Sequence, residues 1–135
     1  MSKILLIRWY HLEVDGQTCS RCQQTKSTLS RAIEHLAPAC RSAGWQISVE
    51  DIILSVEQIE LSNRVEIAGR PIEDIIDIRI HMNVCDSCSH LTGKKEYCRS
   101  VEYQGKMYDD IPYAAFLEAI RKVTSLTTAG PTLFG

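Results

Sequence analysis

The sequence predicts an α/β fold in which a strand, a helix and a second strand follow one another near the N-terminus. The first segment is a short apolar run, the second is amphipathic with helical spacing, and the third alternates apolar and polar residues. Two strands joined by a helix form a parallel pair through a right-handed crossover. The 135 residues, 44% of them hydrophobic, are enough for one domain with a core.

The first strand is predicted at Lys3–Tyr10 and the first helix at Cys22–Arg41. The strand is nearly all apolar, which is typical of a central strand in a sheet that is covered on both faces. The helix has one apolar stripe, which consists of Leu29, Ala32, Ile33, Leu36 and Cys40. Thr18 is the expected N-cap of this helix, and Pro38 is expected to kink or end it.

Alternating residues predict further strands at Trp45–Val49 and Arg64–Ile67, and Ala68–Arg70 is predicted to turn. Ile72–Met82 fits a helical turn in its first half and a strand in its second, so the pattern leaves that segment open. A hairpin is predicted about Gly105, because short strand patterns lie on both sides of it.

A last helix is predicted to begin at Pro112, with an apolar stripe of Phe116, Leu117, Ile120 and Val123. We therefore expect a single domain over residues 1–126 and a flexible tail over 127–135. A Cys-rich loop at residues 83–99 is expected as an insertion before the C-terminal hairpin and helix.

The charge pattern excludes some partners. The formal charge is −2 and charges of both signs are mixed, so no nucleic-acid-binding surface is indicated. The apolar run before Arg8 is only four residues long, too short for a signal peptide or a membrane span. We expect a cytoplasmic protein, in which clustered cysteines are metal ligands or redox-active thiols rather than structural disulfides.

The first cysteine pair, Cys19 and Cys22, falls at the start of the first predicted helix. A helix N-terminus favours the thiolate form, and Arg21 adds positive charge. In a redox pair Cys19 would be the exposed nucleophile and Cys22 the resolving thiol. Half of a metal site and two ordinary buried cysteines are the competing interpretations.

A second cluster lies in a polar stretch and consists of Cys85, Cys88, Cys98 and His90. Three cysteines and a histidine suit tetrahedral zinc, and His81 or Asp86 could replace the fourth ligand. A second redox pair and an iron–sulfur cluster are the alternatives. Cys40 is interpreted as a core residue, and His11 and His35 as surface or locally hydrogen-bonded histidines.

The sequence resembles an uncharacterised prokaryotic family of thioredoxin-like proteins that is labelled as a domain of unknown function. The resemblance is carried by Thr18-Cys-Ser-Arg-Cys22, by the stretch from Ser62 to Glu73, by the Cys85-x-x-Cys88 pair and by the stretch from Cys98 to Pro112. It implies a thioredoxin-like three-layer fold and no established substrate.

Asn63 marks a departure from related glutaredoxin-like sequences. Those sequences place a proline two residues before this strand, where a cis bond faces the CxxC pair. A cis bond without proline costs about 2.5–4 kcal/mol, so we expect a trans bond at Asn63. The missing ring leaves room for a metal at Cys19 and Cys22. Arg21 and Asn63 are the residues expected to face a substrate.

Three hypotheses follow for the function. The first is a thiol–disulfide oxidoreductase that uses Cys19 and Cys22, with zinc at the second cluster, no organic cofactor and a thiol or disulfide protein as partner. The second is a module that binds a thiophilic metal or metalloid without disulfide reductase activity. The third is an interaction domain whose cysteines only stabilise the fold. The sequence leaves the substrate and the oligomeric state open.

Overall fold

The computed structural model describes residues 3–14, 16–18, 20–84, 93 and 97–125. In these residues the chain forms two α-helices, two short 3₁₀ helices (Val56–Leu61 and Ile72–Asp74) and eight strands, and the strands make up two sheets. The helices are α1 (Ser20–Ser42) and α2 (Tyr113–Thr124), and the strands are β1 (Lys3–Val14), β2 (Gln17–Thr18), β3 (Trp45–Leu54), β4 (Val65–Ile67), β5 (Arg70–Pro71), β6 (Ile78–Val84), β7 (Tyr97–Tyr103) and β8 (Lys106–Tyr108).

The first sheet is built around β1. Strand β3 pairs with β1 in parallel along ten residues, from Lys3 opposite Trp45 to Leu12 opposite Leu54. Strand β4 pairs with the other edge of β1 in antiparallel fashion, and β5 pairs with β4. The predicted α/β class and the predicted parallel pair are therefore confirmed.

The two faces of this sheet are covered to different extents in the part of the chain that the structure describes. Leu5, Ile7 and Trp9 on β1 are buried with residues of both helices in one core. On the opposite face Ile4 is 67% exposed, and Arg8 forms an ion pair with Glu50 on β3. The expectation of a strand covered on both faces is therefore wrong for the N-terminal part of β1, whereas Leu12, on the same face as Ile4, is fully buried near the end of the strand.

Helix α1 buries the predicted stripe, with Leu29, Ala32, Leu36 and Cys40 in the core and Ile33 beside it. The helix continues four residues beyond Pro38, so that proline does not end it. Proline has no backbone N–H, so Pro38 cannot donate a hydrogen bond to the carbonyl of Glu34. Both residues are exposed, and water can donate to that carbonyl instead. Thr18 belongs to β2 and α1 is described from Ser20 onward, with Cys19 outside the described residues, so the N-cap role of Thr18 stays a prediction.

The second sheet is an antiparallel meander of β6, β7 and β8. The segment that the sequence left open contains both structures, because Ile72–Asp74 is a 3₁₀ turn and Ile78 begins β6. Pro112 stands directly before α2, as predicted. The core closes around α2 through Ala115, Phe116, Ala119 and Ile120, all fully buried.

Two tight turns join short antiparallel strands. Ala68 and Gly69 connect β4 to β5, and Gln104 and Gly105 connect β7 to β8. All four residues have positive φ angles, which is the backbone of a type I′ hairpin turn. Both turns lie where the sequence predicts them.

The two described helices do not qualify as membrane spans, since neither is long and apolar enough. Residues 126–135 lie outside the described residues, so the C-terminal tail stays a prediction. Strand β6 ends at Val84 and β7 begins at Tyr97. Most of the predicted Cys-rich loop therefore lies between two paired strands and outside the described residues.

Candidate functional site

Cys22 is the residue of the first cysteine pair that the structure describes. It is the third residue of α1, where the chain has just left the carboxyl end of β1 and the short strand β2. Its side chain is fully buried, and its Sγ lies 3.1 Å from Oγ of Ser62, which is also fully buried. Either atom can donate this hydrogen bond. If Cys22 is ionised, the Ser62 hydroxyl must be the donor, because a thiolate has no proton.

Asn63 follows Ser62 and adopts a left-handed backbone conformation with φ of 71°. Asparagine tolerates this region better than most residues. Its backbone N–H donates to the Tyr10 carbonyl at 2.8 Å, and its Nδ2 donates to the Asp109 carbonyl at 3.5 Å. The described residues contain no cis peptide bond, so the trans bond expected at Asn63 is confirmed. The side chain is only 3% exposed, and its substrate-facing role stays a prediction.

A cavity of about 660 Å³ opens at the carboxyl ends of β1 and β3, beside the first turns of α1. Its lining includes Trp9, His11, Glu13, Gln23, Lys26 and Asp51. Ligands of α/β proteins bind at this end of parallel strands, and ligand cavities of about 300–1,000 Å³ are usual. Gln17 also lines the cavity, so lining residues lie on both sides of the Thr18–Cys22 motif.

The wall of this cavity holds an aromatic pair and an ion pair. The Trp9 and His11 rings are stacked with their centroids 3.9 Å apart. Lys26 places its Nζ 4.8 Å from the centre of the Trp9 ring and 3.1 Å from Oδ1 of Asp51. The three elements α1, β1 and β3 therefore meet through these contacts.

His11 is buried, so of the two expected settings, a surface or a locally hydrogen-bonded histidine, the surface one does not apply. Burial lowers the pKa of His11 more than the nearby Asp51 and Glu13 carboxylates raise it, which favours the neutral imidazole. The alternation of β1 could have located it, since Trp9 and His11 share one face. The sequence does not predict that Lys26 or Asp51 lies beside Trp9 and His11, because these two residues belong to α1 and β3 rather than to β1.

Several residues of the predicted sites cannot be placed. Cys19, Cys85, Cys88, His90 and Asp86 lie outside the described residues. Arg21 and Cys98 are described by their backbone alone, Arg21 in the first turn of α1 and Cys98 on β7 opposite Asn83. Within the described residues, no group of three or more His, Cys, Asp or Glu side chains could hold a metal ion.

Two other candidates have ordinary surroundings. His81, an alternative zinc ligand, is exposed on β6, with Nε2 at 3.1 Å from Oε1 of Glu102 on β7. Cys40 is fully buried in the stripe of α1, and burial raises the pKa of its thiol. A raised pKa lowers the thiolate fraction, so Cys40 is a core residue rather than a reactive thiol.

Comparison with known proteins gives a family without an assigned activity. The sequence model of the domain of unknown function DUF2703 matches residues 5–120. An uncharacterised protein of Archaeoglobus fulgidus is 34% identical over 110 residues, which cover 78% of this chain and 77% of that protein. No solved structure matches the chain.

Proposed function

The chain belongs to the DUF2703 family, and we propose that this member is a thioredoxin-like thiol–disulfide oxidoreductase that uses Cys19 and Cys22. The supporting observation is the position of Cys22. It lies in the first turn of the helix that follows the central strand, it is buried, and the Ser62 hydroxyl is 3.1 Å from its sulfur. A buried thiol with a polar partner suits a resolving cysteine, which must react only with its neighbour.

The sheet supports the thioredoxin-like part of the proposal. Its strands run in the order β3, β1, β4, β5, with β3 parallel and β4 antiparallel to the central β1. The CxxC pair falls where β1 and β2 lead into α1. Both described helices share one core on one face of the sheet, so the likeness rests on the sheet and this junction rather than on a third layer.

The proposed reaction has two exchange steps. The Cys19 thiolate attacks one sulfur of a substrate disulfide, which forms a mixed disulfide and releases the other substrate sulfur as a thiolate. The Cys22 thiolate then attacks the Cys19 sulfur, which forms the Cys19–Cys22 disulfide and releases the second substrate thiolate. Two electrons pass from the protein to the substrate, and a dithiol reductant must return them.

The α1 N-terminus and Ser62 have separate tasks in this scheme. The partial positive charge of the helix N-terminus favours thiolates in its first turn. Ser62 can donate a hydrogen bond to the Cys22 thiolate during the second step, and such a bond lowers the cost of burying the negative charge. The hydroxyl thereby favours the ionised form that resolves the mixed disulfide.

The test combines three cysteine variants with a disulfide-reduction assay. Cys19→Ser should abolish reduction of insulin, whereas Cys22→Ser should retain attack and accumulate a mixed disulfide that mass spectrometry detects. Cys40→Ser is the matched control and should retain activity, because Cys40 lies in the core stripe of α1. The dithiol should titrate at about −200 to −270 mV. A wild-type protein without such a dithiol would refute the oxidoreductase.

We propose a zinc site for the second cluster, formed by Cys85, Cys88, Cys98 and His90. The support is the pairing of β6 with β7 up to Val84 opposite Tyr97, since Cys85 follows Val84 and Cys98 follows Tyr97 in the sequence. Elemental analysis of protein purified without oxygen should find one zinc ion per chain, lost in Cys85→Ser and retained in Cys19→Ser. Protein without metal in either form would contradict this site.

A second candidate function is binding of a thiophilic metal or metalloid by Cys19 and Cys22 without disulfide reduction. The observation in its favour is Asn63, which has a trans peptide bond and carries no proline ring that could crowd a metal at the pair. Metal bound by wild-type protein and lost in Cys19→Ser, together with no insulin reduction, would favour this function over the first.

A further inference from the structure

The cavity beside the cysteine motif has no role in the exchange chemistry itself, yet its lining is chemically specific. It takes side chains from β1, β2, β3 and α1, so four elements fix its shape. Its volume of about 660 Å³ is large enough for an amino-acid side chain with part of its backbone.

The charges on its wall do not cancel. Lys26 and Asp51 form an ion pair and balance each other. Burial favours the neutral form of His11. Glu13 lines the cavity half-buried and forms no salt bridge with any cation among the described side chains. One negative charge is thus left over in the described wall.

The wall also shows how it accommodates a cation. The Lys26 ammonium lies against the face of the Trp9 ring and beside a carboxylate. Ring faces and carboxylates attract cations. The exposed Gln17 adds a carboxamide that can hydrogen-bond a polypeptide backbone or an N–H-rich head group.

We propose that this cavity binds a guanidinium or ammonium group at Glu13, supplied by a basic side chain next to the disulfide of the partner protein. Gln17 and Gln23 lie on either side of the motif in the sequence, so a ligand in the cavity sits beside the motif. This cation would help the protein to recognise its disulfide partner, a role that rests on the proposed oxidoreductase function.

The binding test avoids thiol chemistry, so its failure is distinct from failure of the oxidoreductase. The chain contains two tryptophans, Trp9 and Trp45, so Trp45→Phe leaves Trp9 as the fluorescent reporter inside the cavity. The probe is a capped arginine–serine–serine–arginine peptide, with the glutamate analogue of the same length as comparison. Both lack cysteine and can be titrated into Cys19→Ser protein as well.

We expect the arginine peptide to bind, and the affinity of the glutamate peptide to be at least about tenfold lower. A tenfold difference in affinity is what the loss of one charged hydrogen bond produces. Glu13→Gln should weaken arginine-peptide binding by about tenfold, and Glu57→Gln, which removes an exposed charge elsewhere, should not. Gln17→Lys adds a cation at the exposed rim of the cavity without removing a carboxylate, and it should also weaken binding of the arginine peptide. This variant tests the site if Glu13→Gln does not fold.

Titration with capped arginine alone distinguishes two sources of the cation, a small free molecule and a basic side chain of a polypeptide. Binding as tight as that of the peptide assigns the cavity to a small free cation and overturns the polypeptide partner, whereas binding at least tenfold weaker supports it. Equal affinity for the arginine and glutamate peptides, or unchanged affinity in both Glu13→Gln and Gln17→Lys, overturns the cation site altogether.

Discussion

Replacement of Ser62 by alanine tests the closest contact of the candidate site. The change removes the Oγ that lies 3.1 Å from the Cys22 sulfur and leaves the backbone and most of the volume in place. Both side chains are fully buried, so water cannot replace the lost donor. We expect Ser62→Ala to make the Cys19–Cys22 disulfide harder to reduce.

The magnitude follows from the charge of the acceptor. A hydrogen bond to a charged group contributes about 1.5–3 kcal/mol, and for a two-electron couple about 1.4 kcal/mol corresponds to about 30 mV. The hydroxyl stabilises the reduced, ionised form and has no comparable effect on the disulfide. Its loss should therefore shift the reduction potential by about 30–60 mV to more negative values at a pH where Cys22 is ionised.

The assay is equilibration of wild-type and Ser62→Ala protein with dithiothreitol buffers of graded potential at pH 6 and pH 9. Alkylation followed by mass spectrometry of the peptide that contains Cys19 and Cys22 gives the reduced fraction. Thr124→Ala is the control, because its buried hydroxyl bonds the Ile120 carbonyl in α2, remote in sequence from the motif. It should lower stability without changing the potential.

Two outcomes would show that the Ser62 hydroxyl does not stabilise a thiolate. The first is a potential that is the same in both proteins at pH 9. The second is a shift to less negative values, which would mean that the hydroxyl favours the disulfide. A shift that is equal at pH 6 and pH 9 would point to packing rather than to charge.

Three further predictions concern stability and are checked by urea unfolding or spectroscopic titration. Ala68→Gly should raise the free energy of unfolding by up to about 1 kcal/mol, because Ala68 has a φ angle of 55°, which glycine adopts more easily than alanine. The control Ala114→Gly lies in α2, where glycine is unfavourable, and should lower the free energy of unfolding by about 0.5–1 kcal/mol. Burial and the Glu118 carboxylate raise the pKa of Tyr103 to about 12, so Tyr103 should retain its proton in the folded protein above pH 10. Stability should therefore be full below pH 10 and fall between pH 10 and 12. Tyr103→Phe should make that fall smaller, and the part that remains includes the contribution of Tyr10, whose pKa burial also raises. Phe116→Ala should cost about 3–5 kcal/mol, since Phe116 is fully buried.

Local patterns located most of the regular structure. The strand at Val65–Ile67, the turns at Gly69 and Gly105 and the helix after Pro112 are all where the sequence predicts them. Each depends on residues within a few positions, such as a glycine with positive φ or a proline before a helix. Such signals act through the backbone and need no distant partner.

The errors in the fold have a common cause. Pro38 stays inside α1 because the carbonyl that it leaves unpaired faces solvent and because the helix packs its stripe into the core. The apolar N-terminal strand has one face open because Ile4 and Arg8 fall on the side that no described helix covers. Both outcomes depend on which elements pack together, and a local pattern does not contain that information.

By itself the sequence determined the α/β class, the parallel pair around the first helix and the place of Cys22 in the first turn of that helix. Only the tertiary structure decided that Ser62, forty residues further along the chain, gives Cys22 its partner. The same is true of Lys26 and Asp51, which meet Trp9 across three elements. Periodicity fixes which face of an element is apolar, but the neighbour of a buried polar atom depends on contacts between residues remote in sequence, and these exist only in the folded chain.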